Sequence, residues 1–420
     1  MSAPTDIARL LSSHEADLSF QRPFYEDLHE RPELSGQEAE TFSKIQELME
    51  RFDCEVVSPL GGFGLCAVFR NGDGPTVLFR ADIDALPVKE ETGVPYASTR
   101  LRPRGDGTMT GVMHACGHDM HATALAGICA ILDAHRQDWS GTFVALFQPA
   151  EENSTGANAM IADGLVTKIP RPDVCLGQHV MPGRAGEVRS MPGAQFAACD
   201  SIRITVHGRS AHGSMPHKAI DPTFIAAMII VRLQAVVGRE VDPDDFAVVT
   251  VGSVRAGTTN NIIPSSAEIV LNCRFFDNAT KRRVYSSIRR LVNAECEASG
   301  SPKPAEFEFF AHGDLIDNSP EVYSTVRPTF DRVFGRNSVD GHRSSVSEDF
   351  SHIPAAFRSP YLYWTVGCTP HDIWDQAVAN GTVDTDVPVN HQPNFLPDYE
   401  PTVEAATKAG AAAALTYLAS

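Results

Sequence analysis

The chain predicts an α/β protein: a mainly parallel mixed sheet with helices on both faces, interrupted by an inserted ferredoxin-like α+β domain. Three observations predict it. Several apolar runs turn polar at their carboxyl ends, stretches of helical length lie between them, and one continuous segment reads β-α-β-β-α-β.

The runs PTVLFRADIDALP (75–87), GTFVALFQPAEEN (141–153) and PDVCLGQHV (172–180) each open as near-continuous apolar sequence, which marks strands buried on both faces. Between the first two, DMHATALAGICAILDAH (119–135) is rich in Ala, Leu and Ile over helical length, with Asp119 placed to cap its N-terminus. Strands alternating with helices pair in parallel, and sites in such sheets gather where the strands end. From about residue 199 the pattern changes to DSIRITVHG, PTFIAAMIIVRLQAVV, FAVVTVGSV, AEIVLNCRFF, KRRVYSSIRRLVNAECEAS and AEFEFFAH, the split βαβ order. PEVYSTVRPTFDRVF and an Ala-rich helix near 401–418 then return the chain to the first domain. The expected division is 1–198 with 312–420 for the larger domain and 199–311 for the insert.

Composition limits the functions open to such a chain. Its 420 residues, 43% of them hydrophobic, suffice for two cores. With 35 basic against 53 acidic residues the formal charge is -18, the wrong sign for holding nucleic acid or anionic membranes by bulk electrostatics. The N-terminus lacks a basic stretch followed by an apolar core, and runs such as Ile225 to Val231 fall short of the roughly 20 residues that span a bilayer. A soluble, cytoplasmic protein without nucleic-acid or membrane partners is expected. The nine cysteines, scattered from Cys54 to Cys368, are expected to be buried, reduced thiols.

Chemistry concentrates in MHACGHDMHA (113–122). Helical side chains two positions apart diverge by about 200°, so Cys116 and His118 can share a metal centre only if the backbone turns or extends between them. Gly117 permits that turn. The bland alternative is a buried thiol beside a helix cap. A structural zinc site would need two close pairs of ligands, and there is no second Cys pair. Glu151 and Glu152 follow an apolar strand; if both are extended they point to opposite sides, one toward a metal and one toward the water to be activated. Asp82, Asp84 and His179 close the neighbouring strands. Three strand ends thus converge on more donors than one catalytic metal requires, and two metals sharing a bridging carboxylate fit the inventory better. A carboxylate beside them can carry the proton from water to a leaving amine.

The stretches HERPELSGQEAET (29–41), FRADIDALP (79–87), MHACGHDMH (113–121), PAEE (149–152), GQHV (177–180), SAHGSMPHKAIDP (210–222), NNIIP (260–264), SEDF (347–350) and HQPNF (391–395) occur in that order. Together they resemble the aminoacylase and hippurate hydrolase family of two-metal amidohydrolases, part of the metallopeptidase superfamily, which also includes hydrolases of auxin–amino acid conjugates. The resemblance implies a zinc-peptidase-like catalytic domain in which Cys116, His118, Glu152, His179 and His391 hold two divalent ions per subunit and Glu151 is the base. Related peptidases carry His-x-Asp at the first strand end. Here it reads Asp82-Ile83-Asp84, which leaves Asp82 open as a ligand and gives Asp84 an orienting role. His212 is implied to stabilise the oxyanion, from its own subunit or a partner's. Asn261 and Arg274 are implied to contact the substrate carboxylate, a group an Arg fork suits. His114, His121, His217 and His371 are assigned support roles only.

The reaction so implied is hydrolysis of N-acyl amino acids (N-acetyl, N-benzoyl or longer) to a carboxylate and a free amino acid. Competing readings are a dipeptidase or exopeptidase with the same metals, and a catalytically silent binding protein of the same fold. A thiolate favours zinc, whereas imidazole and carboxylate also accept manganese, cobalt or nickel. The sheet edges of the insert, a lid or dimerisation domain in this family, lead to the expectation of a homodimer.

Overall fold

The computed structural model describes residues 6–13, 15–103 and 107–419. The chain falls into two units. The first holds the chain up to Gln195, then Asp317–His342 and Asp349 onward; the second holds Phe196–Ile316 and Arg343–Glu348. The short return at 343–348 has no mark in the residue pattern.

In the first unit, β1 (Glu55–Leu60), β2 (Gly64–Asn71), β3 (Thr76–Asp82), β4 (Gly141–Gln148), β5 (Val174–Arg184), β6 (Val188–Ser190), β11 (Ser338–Asp340) and β12 (Tyr361–Thr369) form one sheet. The order is β1-β2-β4-β3-β5-β12-β6-β11. Its centre, β4-β3-β5-β12, is parallel throughout, as strands joined by helices must be. β5 runs on to Arg184, past the point near Val180 where the sequence suggests a loop.

Helices α1 (Gln21–Glu30), α2 (Ala39–Met49), α3 (His118–Ala134), α6 (Pro320–Phe334), α7 (His371–Asn380) and α8 (Tyr399–Leu418) belong to this unit. α3 and α8 are buried over most of their length and pack together through small residues. A Cβ on Gly410 would lie 2.1 Å from Ile128 Cδ1 and 3.0 Å from Phe79 Cε2, so any larger residue there would force the Ile128 side chain to move. The core continues through Phe79, Phe143, Phe147, Phe330 and Trp364, all buried.

The second unit contains β7 (Ala198–His207), α4 (Pro222–Glu240), β8 (Ala247–Ala256), β9 (Ser266–Phe275), α5 (Asn278–Ala298) and β10 (Glu306–Gly313). Its antiparallel sheet has the order β8-β9-β7-β10. Ile202, Ile204, Ile229, Leu233, Ile269, Leu271, Val284 and Ile288 supply its own core. Among the described residues α4 is the one helix long and apolar enough, by length and composition, to cross a membrane, being longer than its apolar run suggests. Here it is amphipathic: Ile225, Ile229, Leu233 and Val236 are buried, while Arg232 and Arg239 face outward. All nine cysteines are free thiols, and only Cys54 is more than slightly exposed.

Candidate metal centre

The ionisable groups meet where β3, β4 and β5 end. Gly117 adopts φ 83, the left-handed conformation that disfavours any Cβ, and serves as the N-cap of α3. Cys116 therefore lies before the helix and His118 is its first residue, so helical spacing does not separate them. Cys116 Sγ stands 3.5 Å from His179 Nε2. Donor atoms of Cys116, His118 and His179 all lie within 4.8 Å of one another. The capping role expected for Asp119 is corrected by this geometry. Asp119 sits inside the first turn, with Oδ2 at 2.6 Å from His29 Nδ1 and Oδ1 accepting the Met120 N–H.

A second correction concerns Glu151 and Glu152. β4 stops at Gln148, Ala150 takes φ 51, and residues 151–154 form a turn rather than an extended strand end. The Ala150 carbonyl accepts from the Thr155 and Gly156 N–H groups, and the Ala150 N–H donates to Glu38 at 2.9 Å. Both carboxylates consequently face the same way: Glu151 Oε2 and Glu152 Oε1 lie 3.9 and 3.8 Å from His118 Nε2.

His391 arrives from the far end of the chain. Its φ is 74, its N–H donates to the Ala115 carbonyl at 2.8 Å, and its Nε2 lies 3.4 Å from Glu152 Oε2. Cys116, Glu152 and His391 make a second group of donors within 4.8 Å. Cys116 belongs to both groups, and Glu152 also falls in a further group with His118 and Glu151, so a thiol and a carboxylate each lie between donor sets. Asp82 is otherwise engaged: Oδ1 is 2.5 Å from His121 Nδ1 and Oδ2 is 2.6 Å from an Arg80 guanidinium nitrogen.

Hydrogen bonds fix which nitrogen each imidazole presents. Asp84 Oδ2 accepts from Ser35 Oγ and the Glu152 N–H, and Oδ1 takes the proton on His118 Nδ1 at 3.1 Å, leaving His118 Nε2 aimed at the cluster. His179 Nδ1 donates to the Val180 carbonyl at 2.8 Å, which turns its Nε2 toward Cys116. The Val180 N–H donates to His121 Nε2 at 2.9 Å, so the His121 proton sits on Nδ1, toward Asp82, and both of its nitrogens are used. That suits a supporting role for His121 and none as a ligand.

Electrostatics show what this cluster is built to receive. Burial opposes a charge on His118, yet Asp82, Asp84 and Glu152 outweigh it and push its pKa up to about 10. Burial also opposes ionisation of Asp82, but His118, His121 and Arg80 hold its carboxyl well below the usual range. Burial, with His121 beside it, keeps His179 neutral and far below the imidazole range. Burial and the carboxylates of Glu152 and Glu151 drive the Cys116 thiol well up, so it becomes a thiolate ligand only when a cation offsets them. The donor set fits divalent ions: His118 Nε2 and Glu152 Oε1 are buried and make no hydrogen bond.

Several supporting groups were not legible beforehand. Buried Arg80 reaches Gln148 Oε1, Asp82 and Asp349, and Asp349 also accepts from Gln148 and the Ala157 N–H. An arginine inside an otherwise apolar strand, and the acidic SEDF stretch, were the available signals. His29 pairs with both Asp119 and Glu90.

The remaining expected site residues lie in the second unit. His212 pairs in register with Ile262, and the Gly213 N–H donates to the Asn261 carbonyl at 2.8 Å, so His212 and Asn261 are neighbours. The Ser214 N–H donates to His212 Nδ1, leaving the proton of the neutral ring on exposed Nε2. Arg274 donates to Asn272 Oδ1, the Ser345 carbonyl and Ser347 Oγ, which ties it to the return segment. His114 is wholly buried, and His371 donates to the Ala185 carbonyl.

Comparison with known proteins agrees with the geometry. Residues 78–384 match the model of peptidase family M20/M25/M40. A hippurate hydrolase of Campylobacter jejuni is 39% identical over 344 residues, 80% of this chain and 85% of the relative. An N-acetylcysteine deacetylase of Bacillus subtilis is 35% identical over 328 residues, covering 77% and 82%. The crystal structure of a dinuclear metal-binding M20 peptidase from Bacillus subtilis superposes with a TM-score of 0.75 at 28% identity, over 95% of this chain and 98% of that one.

Proposed function

The chain belongs to peptidase family M20/M25/M40, and from that premise we propose that it is a metal-dependent amidohydrolase splitting N-acyl amino acids into a carboxylate and a free amino acid. The convergence of Cys116, His118, Glu152, His179 and His391 beside the Glu151 carboxylate carries the proposal. Cys116, His118 and His179 would hold one divalent ion and Cys116, Glu152 and His391 the other. When bound, such a pair supplies Lewis acidity, polarising the amide carbonyl and lowering the pKa of water.

The protein's own groups do the rest. Glu151, buried at the start of its turn, takes the proton from the attacking water and delivers it to the departing nitrogen, so that amine rather than amide anion leaves. Asp84 holds the His118 proton on Nδ1 and thereby keeps Nε2 available. Arg80, locked by Asp349, holds Asp82 against His121, which in turn fixes the Val180 amide next to His179. His212, from its own subunit or a partner's, would offer Nε2–H as a donor for the oxyanion, and Asn261 and Arg274 would serve the substrate carboxylate. Zinc and manganese suit the donors best, with cobalt or nickel as substitutes.

A homodimer through the second unit is part of the same reading. On α4 the outward residues Phe224, Met228, Val231, Ala235 and Gly238 repeat at alternating spacings of four and three, a seam for a second helix. Phe224 is 60% and Val231 67% exposed. A cytoplasmic setting suits the free thiols.

The test is a substrate panel on enzyme stripped by a chelator and reloaded with one metal at a time. N-acetyl, N-benzoyl and longer N-acyl amino acids should be turned over in preference to dipeptides, and stripped enzyme should be silent. A preference for dipeptides, or activity that survives thorough chelation, would overturn the proposal.

A further inference from the structure

Asn390 precedes His391, and no step of the proposed reaction uses it. Its Nδ2 lies 3.2 Å from the Cys116 carbonyl, 3.2 Å from the Val180 carbonyl and 3.8 Å from Cys116 Sγ. Two of these acceptors are carbonyls, so the amide cannot be flipped, and its oxygen is buried without a partner. The Val180 carbonyl is the same atom that receives the His179 Nδ1 proton. One side-chain amide is therefore linked to three of the candidate ligands by different routes. It reaches Cys116 at both carbonyl and sulfur, it reaches His179 through a shared acceptor, and it is chain neighbour to His391, whose N–H is itself tied to Ala115.

We propose that Asn390 is a positioning residue for the metal pair: its amide fastens the His391 loop to the Cys116 turn and to the end of β5, and its N–H softens the Cys116 thiolate. The inference rests on the metal-binding role given to Cys116 above. A hydrogen bond to a ligand sulfur withdraws electron density from it, and such outer partners typically change metal affinity or activity by about 10–100-fold. The left-handed backbone at His391 has no glycine to ease it, so the loop needs an external fastening of this kind.

The experiment uses full-length protein loaded with Co²⁺ and reads the near-ultraviolet thiolate-to-cobalt charge-transfer band together with metal content per chain. Asn390→Asp keeps the volume and loses the donors; Asn390→Ala loses both. With both variants the band should move to longer wavelength, and affinity for the second ion should fall by at least about tenfold. If volume alone mattered, Asn390→Asp would behave as wild type, which would overturn the proposal. An unshifted band and full occupancy in both variants would do the same. A wild-type protein with no thiolate band at all would instead refute the Cys116 assignment beneath it, and with it this proposal.

Discussion

Replacing Gly117 by alanine tests whether the Cys116–His118 turn is set by backbone conformation. The residue sits at φ 83, where an L side chain costs about 1–2 kcal/mol. An added Cβ would also stand 2.4 Å from Val180 Cγ2, a separation that forces one of the two segments to move. Overpacking of that kind costs about 1–3 kcal/mol. Together these give roughly 2–5 kcal/mol, and the displaced partner is the strand end bearing His179, whose ring sets one metal position. Calorimetry should show the first unit melting at least about 3 °C lower, taking roughly 1.5 °C per kcal/mol for a unit of this size. Metal analysis should show reduced occupancy after dialysis. Val180→Ala removes the obstructing atom, so the double variant should recover the steric part and keep the conformational part, a coupling of about 1–3 kcal/mol between the sites. Wild-type melting and full metal content in Gly117→Ala would refute the argument, as would strict additivity with Val180→Ala.

Glu151→Gln should lower turnover by about 10²–10⁴-fold while leaving metal content unchanged, since it removes a proton carrier and no assigned ligand; steady-state rates beside metal analysis decide it. Asp84→Asn frees the His118 ring from its carboxylate, and metal affinity measured by competition should weaken about 10–100-fold. Arg80→Met strands buried Asp82 and Asp349, a loss of about 3–5 kcal/mol that denaturant unfolding can register. His29 gives a pH signature. Burial disfavours its charge, but hydrogen bonds to Asp119 and Glu90 raise its pKa from 6.5 to about 9. Its stabilisation, on the order of 3 kcal/mol, is then fully present below pH 6.5 and disappears as pH rises through about 9. Wild type should lose stability over that window, and His29→Gln should show a flatter profile.

Local features were the ones legible in sequence. Whereas β5 runs on past Val180 to Arg184, the ends of β3 and β4 and the Cys-Gly-His turn depend on neighbours a few positions away, and they form where the residues suggest. The Glu151–Glu152 turn did not, because the conformation of Ala150 is held by Glu38, a residue of the N-terminal helical region that no local pattern links to it. Arg80 looked like the polar end of a strand, yet its charge is matched by Asp349, contributed after the chain returns from the second unit. His391 could be singled out only through the family resemblance, since an exposed loop histidine carries no periodic or spacing signal. Nothing in sequence pointed to Asn390, whose contacts are all to backbone carbonyls and one sulfur of distant segments. Such information resides in tertiary structure alone.

Strand order in the large sheet has a consequence for biosynthesis. β5 pairs with β3 on one side soon after it leaves the ribosome, but its other edge waits for β12, which is made only after the whole second unit. The second unit is nearly continuous in sequence and has its own core, so it can close while the larger sheet still shows an open parallel edge. Nascent chains of this protein should thus be most prone to self-association, and most dependent on chaperones, in the interval between translation of His179 and of Tyr361.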